Sequence, residues 1–132
     1  MESLFPILPP KEVNQMNMLA LAHVGDAVYE LLVRSMLCRE KKTGVMQLHR
    51  LTVEQVRAEA QAEAVKKLLP HLDEEELAVY KRGRNTKVNS APQHAGIAQY
   101  HAATGLEALF GWLYLQGRNE RIGELFTIIM EG

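Results

Sequence analysis

The run "LALAHVGDAVYELLVRSML", Leu19 to Leu37, is apolar and helix-length, yet Gly25 and Asp26 stand side by side near its middle. A glycine inside a helix costs about 1 kcal/mol relative to alanine. A carboxylate on a buried stripe costs several kcal/mol unless a cation or hydrogen-bond donors meet it. A chain that keeps both in its longest apolar helix raises the question of what the helix gains from two residues that weaken it. Leu21, Val24, Val28, Leu31 and Leu32 fall at core spacing on this helix, expected from about Asn17 to about Arg39.

The rest of the chain is also helical in pattern. No period-2 alternation is sustained and no Asn-Gly turn joins two apolar runs. A second long helix is expected over roughly Val45 to Leu69, closed by Pro70; its middle, "RAEAQAEAVKKLL", interleaves acids and bases like a solvated outer face. Asp73 and Glu76 form a capping-box pattern for a short helix ending near Gly83. Ser90 before "APQ" marks a further start, carrying His94 and Tyr100. "ATGLEALFGWLYLQG" reads as a strongly apolar helix from about His101 to Gln116, stopped by Gly117, and Asn119 caps a final helix over "ERIGELFTIIME". The expectation is an all-α fold of six or seven helices. The length of 132 residues suits one domain over 1–132, with 1–16 as an N-terminal extension, packed or partly ordered.

With a formal net charge of −1, nucleic acid can be bound only through a local patch. Cys38 is the sole cysteine, so no disulfide framework exists; it reads as a small buried hydrophobe, and a reducing cytoplasm is the expected location. "MESLFPILPPKE" has no basic leader and is broken by prolines, unlike a secretory signal, and no apolar run approaches the ~20 residues that span a bilayer. His23, His49, His71, His94 and His101 form no His-x-x-x-His pair, which argues against zinc. Phe110, Trp112, Leu113 and Tyr114 read as core or dimer interface, Met16 and Met18 as gap-fillers.

Glu107 repeats the setting of Asp26, with Ala103 and Gly111 one turn to either side, Gly105 two residues back and Ala108 adjacent. Two helices, each with one acid among small residues, can approach closely enough for both acids to share Mg²⁺ or Mn²⁺, which prefer carboxylate oxygens. Pattern alone leaves the alternative open that both are exposed acids on amphipathic helices.

"HVGDAVYELLV" resembles the ribonuclease III signature, of the type Leu-Gly-Asp-(Ala/Ser)-Val-Leu-Glu-Leu. "GLEALFGWLYLQG", about eighty residues later, resembles that family's second acidic helix, and "RIGELFTIIM" its final one. The similarity runs from Asn17 onward and leaves no length for a double-stranded-RNA-binding domain; with "RGRN" and "YHAATGLEALFGWLYL" it resembles the compact Mini-ribonuclease III branch. The resemblance implies a single ribonuclease III-type domain and a homodimer that cuts double-stranded RNA with Mg²⁺ (Mn²⁺ substituting). It further implies 5′-phosphate and 3′-hydroxyl ends, and a role in maturing ribosomal RNA from the 23S precursor.

By the same resemblance Asp26 and Glu107 are the catalytic metal ligands. The family's four-acid site is incomplete here: its other two acids would fall on Ala22 and Thr104. Fewer protein ligands imply looser metal binding. Glu30, Thr104 and His23 are candidates for a supporting role, although Glu30 has Arg34 at i+4 as a simpler partner. The missing acids also suit an inactive RNA-binding or ribosome-associated relative, and a helical adaptor with two surface acids is a third reading.

"KRGRNTK" places Lys81, Arg82, Arg84 and Lys87 around a glycine, with Asn85 and Thr86 as hydrogen-bonding groups. As a basic loop it suits the phosphates and 2′-hydroxyls of double-stranded RNA. A solvated turn at a helix end is the alternative. Asn89, Ser90, Gln93 and His94 would extend that surface.

Overall fold

The computed structural model describes residues 6–87 and 96–132, and among these there are seven helices and no strand. They are α1 (Pro10–Val13), α2 (Met18–Glu40), α3 (Val45–Val56), α4 (Ala58–Leu68), α5 (Glu74–Arg84), α6 (Ile97–Leu115) and α7 (Asn119–Glu131), with a 3₁₀ turn at Leu69–His71. No described helix is long and apolar enough to cross a membrane.

The hub is α6, which packs against α2, α5, α4 and α7. From Ala103 to Leu113 every residue of it except Glu107 is buried, so its only acid is also the one break in its apolar surface. Phe110, Trp112 and Leu113 are core, as expected, while Tyr114 is half-buried. Met16 and Met18 pack partly buried at the rim. The described part of the N-terminal extension packs on the same helix. Leu8 N–H donates to the Leu115 carbonyl at 3.0 Å, Val13 is fully enclosed, and Trp112 Nε1 donates to Asn14 Oδ1 at 2.7 Å.

Asn17 caps α2 as expected, its Oδ1 accepting from Leu19 N at 2.7 Å. The buried stripe of α2, however, is Leu21, Gly25, Tyr29, Val33 and Leu37. Val24, Val28 and Leu32 are only half-buried and Leu31 is 62% exposed. The contact of α2 with α6 is centred on Gly25, and every fourth residue from it faces inward, so the face is chosen by close approach rather than by aliphatic bulk. Cys38 lies off that stripe and is exposed, contrary to the buried role expected of it.

The second long helix is two. At Arg57 the chain turns extended (φ −65°, ψ 158°), and α4 leaves at a new angle to pack on α6. No local breaker marks the turn; the side-chain amide of Gln61 closes it by donating to the Val56 carbonyl at 2.8 Å. Nor is α4 an outer face throughout, since Gln61, Ala64, Val65 and Leu68 are buried.

The capping box of α5 forms as read: Glu76 N donates to Asp73 Oδ1 at 2.8 Å, and Asp73 N to Glu76 Oε1 at 3.0 Å. Glu76 is fully buried and receives Arg121 Nε at 2.7 Å and Nη2 at 2.8 Å. Burial pushes its pKa up, but the bonds from Arg121 and the Asp73 backbone, with the charges of Arg121 and Arg118, outweigh that and hold it below the usual range.

Gly83 is the penultimate residue of α5. It lies inside the last turn, where a Cβ would sit 2.9 Å from Ala108 Cβ and 3.0 Å from Gly105 Cα. Tyr100 belongs to α6, which starts at Ile97 rather than near His101, whereas the expected start at Ser90, with Asn89, Gln93 and His94, lies outside the described residues. Gly117, at φ +72°, terminates α6 as expected. Asn119 is the first residue of α7 and Arg118 its cap.

Candidate active site

Asp26 and Glu107 face each other because two backbones nearly touch. A Cβ on Gly25 would collide with the Glu107 carbonyl and lie 2.8 Å from Gly111 N. A Cβ on Gly111 would collide with the Leu21 carbonyl. With neither present, α2 and α6 cross at backbone contact, and the acids beside the crossing are brought within hydrogen-bonding reach of each other. Gly25 therefore repays its helix cost by seating one acid against the other.

The two carboxyl groups sit in different surroundings. Asp26 is exposed. Glu107 is half-buried, and its pKa is pushed up to about 7: burial contributes most, a hydrogen bond from Gln61 pulls the other way, and nearby Asp26 raises it further. Two carboxylates held together, one of them partly desolvated, repel when both are ionised. A hard divalent cation relieves that repulsion, and an all-oxygen donor pair matches Mg²⁺ or Mn²⁺ rather than zinc. No third His, Cys, Asp or Glu joins the pair in a metal-binding group among the described residues.

The supporting candidates do not add a ligand. Glu30 is bound to Arg34, with Nε and Nη2 each 2.9 Å from its Oε2. Thr104 is buried and donates its hydroxyl to the Tyr100 carbonyl of its own helix at 3.1 Å. His23 is exposed on the turn before Asp26, and Ala22 is buried.

One residue that pattern reading overlooked reaches the site from α4. Gln61 is 2% exposed, and its Nε2 donates to Glu107 Oε2 at 3.0 Å. The available signal was a long polar residue in register with Ala64, Val65 and Leu68, on a helix whose alternating charges suggested solvent.

"KRGRNTK" is not a loop over its first half, because Lys81, Arg82 and Arg84 occupy the last turn of α5. Three acids in the first turn and three bases in the last match the helix dipole at both ends. Lys81 and Arg82 are exposed, as is Lys87 beyond the helix. Arg84 lies over the Tyr80 ring at 5.7 Å and donates to Asn85 Oδ1 at 3.1 Å; Thr86 Oγ1 donates back to the Arg82 carbonyl at 2.7 Å. Gly83 docks this basic end against Gly105 and Ala108, which flank Glu107 on α6.

The family model described as "Ribonuclease III domain" matches residues 19–118. A Mini-ribonuclease 3 of Clostridium tetani is 41% identical over 91% of this chain and 80% of its own length. A Mini-ribonuclease 3 of Desulfitobacterium hafniense is 47% identical over 86% of this chain and 71% of its own. Among solved structures, a crystal structure of a Fusobacterium nucleatum protein superposes with a TM-score of 0.81 at 30% identity, covering 92% of this chain and 97% of that one.

Proposed function

Because this chain belongs to the ribonuclease III family, with Mini-ribonuclease 3 proteins as its relatives, we propose that it is a double-strand-specific endoribonuclease dependent on Mg²⁺ or Mn²⁺ held by Asp26 and Glu107. The observation that carries this reading is the backbone contact at Gly25 and Gly111, which puts the acids of α2 and α6 against each other. When bound, the cation supplies a water made nucleophilic near neutral pH and neutralises charge on the scissile phosphate and leaving oxygen.

The chain's own residues do the rest. Asp26, being exposed, is the ligand that a phosphodiester backbone can approach. Glu107 anchors the site from the rigid hub helix. Neither acid acts as a covalent nucleophile. Lys81, Arg82 and Lys87 present positive charge beside α6 to the phosphates, and Arg84, Asn85 and Thr86 hold the end of α5 in shape for shape-directed contact with an A-form duplex. Products carry 5′-phosphate and 3′-hydroxyl ends, the substrate is a ribosomal RNA precursor in the cytoplasm, and a homodimer places one site on each strand.

Ala22 and Thr104, where the family has acids, favour one rival: a relative that binds RNA without cutting it. Incubating a long double-stranded RNA with the protein in Mg²⁺, in Mn²⁺ and in EDTA, beside Asp26→Asn, decides between them. Metal-dependent cutting that disappears in the variant is the expected result. Binding without cutting under either metal would establish the rival.

A further inference from the structure

Glutamine is a poor choice for filling position 61. The side chain is enclosed on the stripe with Ala64, Val65 and Leu68, and its Oε1 has no partner among the described residues. A buried acceptor left unsatisfied is destabilising. Methionine or leucine would occupy similar volume without that cost. What the amide does in return is specific: Nε2 donates at 3.0 Å to Glu107 Oε2 and at 2.8 Å to the Val56 carbonyl.

The second bond makes the first one rigid. Val56 is the last residue of α3, and the chain turns at Arg57 immediately before α4. The amide is thus pinned to main chain at one end of a helix break, 46 residues from the carboxylate it meets. Gripping one oxygen sets the plane of the Glu107 carboxyl, which would otherwise rotate freely about its last torsion. In a site with two acids instead of four, a carboxylate turned out of place removes half of the protein's ligands. Groups behind a metal's ligands are worth about 10- to 100-fold in affinity or activity for this reason.

We propose that Gln61 is the positioning residue of this site, holding the Glu107 carboxylate in the orientation in which it and Asp26 together take a divalent cation. The proposal rests on the metal-site reading above and extends it to a residue outside the ligand set.

The test uses the full chain, with Mn²⁺ as the titrant and no RNA present. Calorimetry measures Mn²⁺ affinity for wild type, Gln61→Met, Gln61→Leu and Asp26→Asn. Thermal melts in EDTA and cleavage rates of a double-stranded RNA accompany it. The expected result is that the apolar variants melt close to wild type, because they lose an orphaned acceptor as well as two hydrogen bonds. Their Mn²⁺ dissociation constant rises about 10- to 100-fold and kcat falls, while KM for the RNA is unchanged and excess Mn²⁺ recovers part of the rate. Wild-type affinity and kcat in either folded variant would overturn the proposal. Failure of both variants to fold would overturn it too, assigning Gln61 to the core. If instead wild type binds no Mn²⁺, or Asp26→Asn binds it as tightly, the metal-site reading itself fails independently of Gln61.

Discussion

Glu107 carries the conflict between stability and function at the scale of one residue. Its pKa of about 7 in the metal-free protein has burial as its main cause, against an ordinary value of 4.5. Below pH 4.5 the carboxyl is protonated whether the chain is folded or not. Between 4.5 and about 7 the unfolded chain has lost this proton while the folded one retains it, so stability falls as pH rises, and above 7 the loss is complete. Glu107→Gln removes the ionisation and keeps an oxygen for Gln61. In EDTA at about pH 8 that variant should unfold at higher denaturant than wild type, by on the order of 2 kcal/mol, and the gap should shrink as pH falls toward 4.5. Urea melts at both pH values check this, and equal stability throughout would mean the carboxyl is freely solvated. Asp26 and Glu107 were legible through the family resemblance of the segments around them, since pattern alone left open that both are exposed acids, as Asp26 is. Gln61 was not. Its role depends on a partner 46 residues away and on a helix break with no local breaker, while its sequence neighbours alternate Glu, Ala and Lys.

Among the helices, the pair α2 and α6 depends on two missing methyl groups, at Gly25 and Gly111. Alanine at position 25 would drive its Cβ into the Glu107 carbonyl, which belongs to helix backbone and cannot rotate away. Overpacking against soft side chains costs about 1–3 kcal/mol; against main chain the cost belongs at or above the top of that range. Gly25→Ala should therefore lower stability by about 3 kcal/mol and also abolish cleavage, since α2 must move off α6 and carry Asp26 with it. Denaturant unfolding with a Mn²⁺ titration of the surviving folded fraction tests both; a folded variant with normal Mn²⁺ binding would show that the acids do not depend on the crossing. Sequence pattern located α2, α5 and α7 to within a residue or so, because caps and stops such as Asn17, Asp73 and Gly117 are local chemistry. It failed at Arg57 and at the inward face of α2, where tertiary contact overrides propensity. Gly83 looks like a stop in the sequence, which sends Arg84 beyond the helix, whereas its bare backbone is what α6 packs against.

At the scale of the molecule, α2 and α3 carry exposed apolar side chains that the core leaves unused. Leu31 is 62% exposed on α2, and Val45, Met46 and Val53 on α3 are 78%, 83% and 46% exposed. Arg34 and Cys38, on the same side of α2 as Leu31, line a shallow cavity of about 200 Å³ with Val45, Leu48 and His49, which joins the two helices into one face. Large apolar side chains grouped in this way mark an interaction surface more often than solvent exposure, and a two-fold dimer needs a patch that meets its own copy. The homodimer expected from the family resemblance is best accommodated here, and Cys38 would then be covered by the partner rather than by its own core. Leu31→Lys places a desolvated charge in such an interface without touching the α2–α6 crossing. Sedimentation should show a dimer for wild type and a monomer for the variant, with helical content unchanged. Cys38 should react with a thiol reagent faster in the variant, and cutting of both strands of a duplex should be lost. A variant that remains dimeric, with Cys38 reacting as in wild type, would move the interface to another face and leave this patch without a role in assembly.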